Sequence, residues 1–114
     1  MEQLQKETCI PCEGQIAPIS DAEIADLMPQ LEGWKIAKEN GQNHLQKIYN
    51  FSDFKSALSF TNLVGEEAEI AGHHPVLITE WGKVTVIWWT HAINGLHRND
   101  FVMAAKTDKA FQSI

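Results

Sequence analysis

Pro75-Val-Leu-Ile-Thr-Glu80-Trp-Gly-Lys-Val84-Thr-Val-Ile-Trp-Trp-Thr90 is the stretch that decides the fold. Residues 75–80 and 84–90 are two apolar, β-branched runs around Trp81-Gly82-Lys83, so they read as paired strands. Strand side chains alternate between faces. Val84, Val86 and Trp88 therefore point one way, and Thr85, Ile87 and Trp89 the other. Both sets are largely apolar, which predicts a strand that is central or half covered by a partner subunit.

A second strand pair lies upstream. Trp34-Lys-Ile-Ala-Lys alternates, Asn40-Gly41 is the strongest short hairpin signal, and His44 to Phe51 alternates again with Leu45, Lys47, Tyr49 and Phe51 on one side. Residues 34–51 thus read as a β-hairpin. Helices separate and flank the hairpins. Ser20-Asp-Ala-Glu23 has the spacing of a capping box and opens a short helix through about Met28, with Ile24, Leu27 and Met28 on one face. Asp53 caps a longer helix over about 54–71, in which Phe54, Ala57, Leu58, Thr61, Val64 and Ala68 recur at three to four residues. Gly65 inside that helix is expected to relieve a close contact, and Gly72 to stop it. Asn94-Gly95 marks a loop. Asn99 or Asp100 is expected to cap a last helix through about Gln112, with Phe101, Ala104, Ala105 and Phe111 inward. The order α-β-β-α-β-β-α predicts an α+β domain: a four-stranded antiparallel sheet with three helices on one face. The sheet's other face, with Ile87 and Trp89, would need cover, which predicts a homodimer or homotetramer.

Bulk properties exclude several function classes. The chain has 114 residues, room for one domain, with residues 1–19 as an irregular arm and 20–114 as the folded unit. A formal charge of −6 and a pI near 5.2 argue against a nucleic-acid surface, which needs a basic stripe. The longest apolar runs fall far short of a membrane span. The first residues lack the basic and apolar regions of a secretory signal, so the cytoplasm is the expected location. Cys9 and Cys12 form a C-x-x-C pair in the arm. Reduced thiols are the plain reading, with a shared metal site or a redox role as alternatives.

The chemistry-bearing residues cluster. Three of the five histidines are His73, His74 and His91, and histidine both gives and takes protons near neutral pH. Glu69 falls in the last turn of the long helix, within reach of the imidazoles that follow, and Pro75 fixes the chain direction after them. Alternation sends His73 and His74 different ways. His91 follows strand 84–90 and can return alongside the start of strand 75–80. Acid–base catalysis is one reading of this set. A zinc or iron site on His73, His91 and Glu69 is another, and hydrogen-bonding histidines at element ends are a third.

The pattern Glu69-x3-His73-His74-Pro75-x5-Trp81-x9-His91-x8-Asp100 resembles the signature of the pterin-4a-carbinolamine dehydratases at every defined position. Phe60-Thr-Asn62, Thr79-Glu-Trp-Gly-Lys-Val84 and Gly95-Leu-His-Arg-Asn-Asp100 are also similar to bacterial members, and the resemblance covers roughly residues 20–112. It implies a hydro-lyase that removes water from 4a-hydroxytetrahydrobiopterin to give quinonoid dihydropterin. Such an enzyme recycles the pterin of aromatic amino-acid hydroxylases such as those acting on phenylalanine. The pterin is substrate, and the resemblance implies no cofactor and no metal. It implies proton transfer by His73 and His91, pterin contact and assistance by His74, and orientation of the imidazoles by Glu69 and Asp100. Pro75 and Trp81 would line the substrate pocket. Asp100 reads equally as a helix cap, and Trp81 equally as a turn aromatic packed on the sheet. The arginine of mammalian relatives falls where this chain has Asn99, so the resemblance gives Arg98 no role. Mammalian relatives also serve as dimerisation cofactors of a homeodomain transcription factor, which makes an interaction module the alternative class.

Overall fold

The structure is a computed structural model that describes residues 4–7, 18–93 and 95–114. Its elements run α1 (Asp21–Leu27), β1 (Lys35–Glu39), β2 (Gln42–Asn50), α2 (Phe54–Ala71), β3 (Val76–Glu80), β4 (Lys83–Trp88) and α3 (Arg98–Gln112), with single 3-10 turns at Leu4–Lys6, Met28–Gln30 and His91–Ile93. The expected α+β order is present, and the four strands form one antiparallel sheet in the order β1-β2-β4-β3. Strand β4 is therefore central, flanked by β2 and β3. The chain leaves β2, crosses over through α2 and enters at the edge as β3.

Local chemistry sets the boundaries. The Ser20 side chain accepts the Glu23 N–H and the Asp53 side chain accepts the Ser56 N–H, so both predicted N-caps form. Asn40 (φ 53°) and Gly41 (φ 77°) make the β1–β2 turn in the left-handed region. Gly72 ends α2 at φ 65°, its N–H bonded to the carbonyls of Ala68 and Glu69.

Two expectations need correction. A Cβ added to Gly65 would meet nothing within 4 Å, so this glycine relieves no close contact. The N-cap of α3 is His97, not Asn99 or Asp100. Its Nδ1 accepts the Asn99 N–H at 3.0 Å, while Asp100, inside the first turn, accepts the His97 N–H at 2.9 Å. An imidazole nitrogen serves here as the cap acceptor, a use that the usual Ser, Thr, Asp and Asn signals do not cover.

The core lies between the sheet and the helices. Ala57, Phe60, Val64 and Ala68 of α2, and Phe101, Val102, Met103 and Ala104 of α3, pack on Leu45, Tyr49, Val84, Val86 and Trp88 of the two central strands. The indole of Trp88 is fully buried and donates to Thr107 Oγ1 at 3.1 Å, which satisfies its one polar atom. Asp108 of α3 anchors the helix to the sheet, because Trp34 Nε1, Lys47 Nζ and the Tyr49 hydroxyl all donate to it. Burial pushes the Tyr49 phenol well above its ordinary pKa, and the Asp108 bond adds to that.

Part of the N-terminal arm joins this core. Leu4 is 2 % exposed, and Glu7 forms a paired contact with the Arg98 guanidinium at 2.7 and 2.8 Å. That hydrogen-bonded pairing holds the Glu7 carboxyl below the usual carboxylate range. Cys9 and Cys12 lie outside the described residues. On the sheet face away from the helices, Ile48, Val76 and Ile78 are the exposed apolar residues, whereas Ile87 and Trp89 are half-buried.

Candidate active site

Antiparallel pairing brings the histidines together at one end of the sheet. Val76 pairs with Ile87, so residues 73–75 before β3 and residues 88–91 at the end of β4 share an edge. The left-handed turn at Gly72, reinforced by the His73 N–H bond to Ala68 O at 3.2 Å, delivers His73 to that edge directly from α2. The loop after β4 is held just as firmly. The Thr90 N–H donates to Gly95 O at 2.8 Å, and the Ile93 N–H to Thr90 O at 3.3 Å, which folds His91 into a one-turn 3-10 helix.

The centre of the site is a buried carboxylate. Asp100 is fully buried. Its Oδ1 lies 2.6 Å from His73 Nε2, and its Oδ2 accepts the Thr90 hydroxyl at 2.8 Å and the His97 N–H at 2.9 Å. Both oxygens are occupied, so the charge is compensated. Its position in the first turn of α3 adds the favourable end of the helix dipole. Of the two ring nitrogens it is Nε2 that faces the carboxylate, so a neutral His73 that donates to Asp100 keeps Nδ1 as its bare nitrogen. The His73 ring lies nearly parallel to the Trp88 indole, 5.6 Å between centroids and 14° between planes.

His74 goes the other way, as alternation requires. Its Nε2 meets Glu69 Oε1 at 2.7 Å, and both side chains are exposed. Glu69 thus partners His74 and not His73. His91 is exposed, and its ring rests against the Trp89 indole, 4.3 Å between centroids. Among the described residues no three His, Cys, Asp or Glu side chains form a metal-ligand set. The triad of His73, His91 and Glu69 considered from spacing does not converge, because Asp100 holds the first and His74 the last. Pro75 stands half-buried beside the pair.

Trp81 does not join this group. It occupies the β3–β4 turn, 73 % exposed, beyond the Glu80–Lys83 pair. A five-residue ladder spans about 16 Å at ~3.3 Å per residue, and the histidines lie at its other end. His44, Thr90 and His97 are in the site's surroundings although their spacing in the sequence gave no sign of it. Thr90 and His97 hold Asp100, and His44 stacks on Trp89 with 4.1 Å between centroids. The β2–β4 register that brings His44 near is set by residues some forty positions apart.

A scan against protein families matches residues 17–110 to the model described as pterin 4 alpha carbinolamine dehydratase. The chain belongs to that family. A Chlorobaculum tepidum protein provisionally named pterin-4-alpha-carbinolamine dehydratase is 51% identical over 109 residues, covering 96% of this chain and 98% of its own. A Microcystis aeruginosa protein with the same provisional name is 48% identical over 112 residues, 98% of this chain and 97% of its own. Among solved structures, a Brucella melitensis protein titled transcriptional coactivator/pterin dehydratase superposes with a TM-score of 0.74 at 28% identity, over 82% of this chain and 97% of that one. Membership of the family supports a dehydratase of pterin carbinolamines. Among the described residues no helix is long and apolar enough to cross a membrane.

The two buried histidines give the domain a pH signature. Burial holds both His44 and His97 below the ordinary imidazole pKa. Below about pH 6.5 the unfolded chain therefore binds more protons at these positions than the folded one. Their stabilisation is complete above that pH and is lost as pH falls through the folded values. Urea unfolding is expected to show stability declining from pH 7 to pH 5. His97→Asn, which keeps a cap acceptor but cannot titrate, is expected to flatten that decline. An unchanged slope in the variant would remove His97 from this role.

Proposed function

We propose that this protein eliminates water from 4a-hydroxytetrahydropterin to give quinonoid dihydropterin, by acid–base catalysis on His73 and His91. The observation that carries the reading is the buried Asp100 carboxylate fixed on His73 Nε2. It orients the ring and leaves Nδ1 free as a base, as a carboxylate behind an imidazole does in other acid–base sites. The elimination needs one base and one acid. The base takes the proton of the pterin ring nitrogen, whose electron pair becomes the new C=N bond to C4a. The C4a–O bond breaks with its electrons going to oxygen, and the acid protonates that oxygen, releasing water. His73 serves as base through Nδ1. His91, exposed in its loop, serves as acid and exchanges its proton with solvent between turnovers. His74 and Glu69 form the rim that contacts the pterin. Each well-placed proton-transfer group typically contributes about 10²–10⁴-fold.

The pterin carbinolamine implies a supplier that leaves its cofactor as a 4a-hydroxy adduct. An aromatic amino-acid hydroxylase fits that chemistry and makes this protein a recycling enzyme of the cytoplasm. A homodimer or homotetramer would cover the exposed Ile48, Val76 and Ile78 of the outer sheet face. Light scattering is expected to give two or four times the 12.8 kDa chain mass, and a strictly monomeric profile would overturn that assembly.

Dehydration of freshly generated 4a-hydroxytetrahydropterin tests the activity. The protein is expected to accelerate it strongly, with and without chelator. His73→Ala and His91→Ala are each expected to lose about 10² or more in kcat, and Asp100→Asn, which keeps the shape of the cap, somewhat less. A folded wild-type protein with no acceleration over the spontaneous reaction would end this reading.

A further inference from the structure

His44 takes no part in the proton transfers, yet it belongs to the same aromatic group as His91. It lies one ladder step beyond the Leu45–Trp88 pair, where alternation turns it and Trp89 away from the helices. Its ring and the Trp89 indole are stacked, 4.1 Å apart at centroids with 16° between planes. The same indole carries the His91 ring at 4.3 Å and 35°. One indole therefore touches two imidazoles, His44 7 % exposed and His91 exposed to solvent.

The state of the buried imidazole follows from its surroundings. Its Nε2 is buried and has no hydrogen-bond partner among the described residues. A buried N–H or an imidazolium with nothing to accept its proton costs more than a bare lone pair. The uncharged ring with a bare Nε2 is therefore the favoured form, in line with burial lowering its pKa. The charged and titratable groups that act on it are Glu39, His91 and Asp100. Burial is the largest influence and His91 adds to it, while the two carboxylates oppose it.

We propose that His44 is a positioning residue of the site: a neutral ring that, stacked on Trp89, fixes the indole against which His91 rests. The proposal rests on the dehydratase reading for its catalytic consequence and on geometry alone for its structural one. The His91 ring meets the Trp89 indole at 4.3 Å between centroids, and this is the contact through which the indole can set its orientation. A flat neutral neighbour supports Trp89 by contact and leaves a proton on His91 unopposed, whereas a second cation in this stack would repel it. Releasing the indole would misdirect the donor without removing pterin contacts, so turnover suffers rather than affinity.

The test compares His44→Ala with His44→Phe, which restores a flat ring that cannot titrate. Two readouts are taken on protein shown to be folded by thermal unfolding: steady-state dehydration, and the His91 ring-proton NMR signals without substrate. In wild type, the Trp89 ring current should displace those signals upfield. His44→Ala is expected to reduce kcat by about 10- to 100-fold with KM little changed, and to shrink the displacement. His44→Phe is expected to recover both. A folded His44→Ala that keeps the displaced signals overturns the proposal, as does a His44→Phe variant that behaves like the alanine one. If His44→Ala fails to fold, displaced signals in His44→Phe support the proposal and their loss overturns it. A wild-type protein without dehydratase activity would instead end the functional reading, and the NMR comparison would still decide whether His44 positions His91.

Discussion

The burial of one carboxylate, Asp100, is the constraint on which the rest of the site depends. A fully buried charge is costly unless every acceptor site is used. Three elements meet that demand: His73 from the end of α2, Thr90 from the end of β4, and the His97 backbone at the start of α3. The same contacts that compensate the charge fix these three chain segments relative to one another. Removing one partner of a buried pair typically costs about 3–5 kcal/mol, a large fraction of what a domain of this size has to spare. Stability and the orientation of the His73 ring are thus one requirement here. The fold cannot relax the imidazole without exposing or stranding the carboxylate.

Around that centre the two faces at the C-terminal end of β4 are occupied by different rings. Trp88 points into the core, donates to Thr107 and lies parallel to His73. Trp89 points the other way and carries His44 and His91. The last residue of the central strand and the one after it thereby deliver an aromatic surface to these imidazoles. Asp108 pins α3 to this sheet through Lys47 and Tyr49 of β2 and through Trp34 just before β1.

Local signals made most of this fold legible. Ser20, Asp53, Asn40-Gly41 and Gly72 act within a few residues of themselves, so their caps and turns could be read directly and are present. The alternation of Val84 to Trp89 likewise gave the faces of the central strand. Contacts within the motif were legible where chain neighbours meet, as with Glu69 and His74, and the spacing put His73 and Asp100, which do meet, in one pattern. They were illegible where distant segments meet. Nothing local shows that Glu69 binds His74 while His73 turns to Asp100, that an imidazole caps α3, or that His44 lies opposite Trp89. Those depend on strand register and on the competition for one buried carboxylate. Trp81 shows the converse limit, since its place in the pattern says nothing of the sixteen or so ångströms of ladder, at about 3.3 Å per residue, that separate it from the histidines.

The tautomer of His73 shows whether Asp100 sets the ring up as a base. Two-dimensional ¹⁵N–¹H NMR of the neutral ring reads which nitrogen carries the proton. The proton is expected on Nε2, facing Asp100, with Nδ1 giving the signal of a bare nitrogen, and Asp100→Asn is expected to disturb that preference. A proton on Nδ1 with a bare Nε2 would contradict this expectation, because Asp100 would then not be holding a base ready for the pterin.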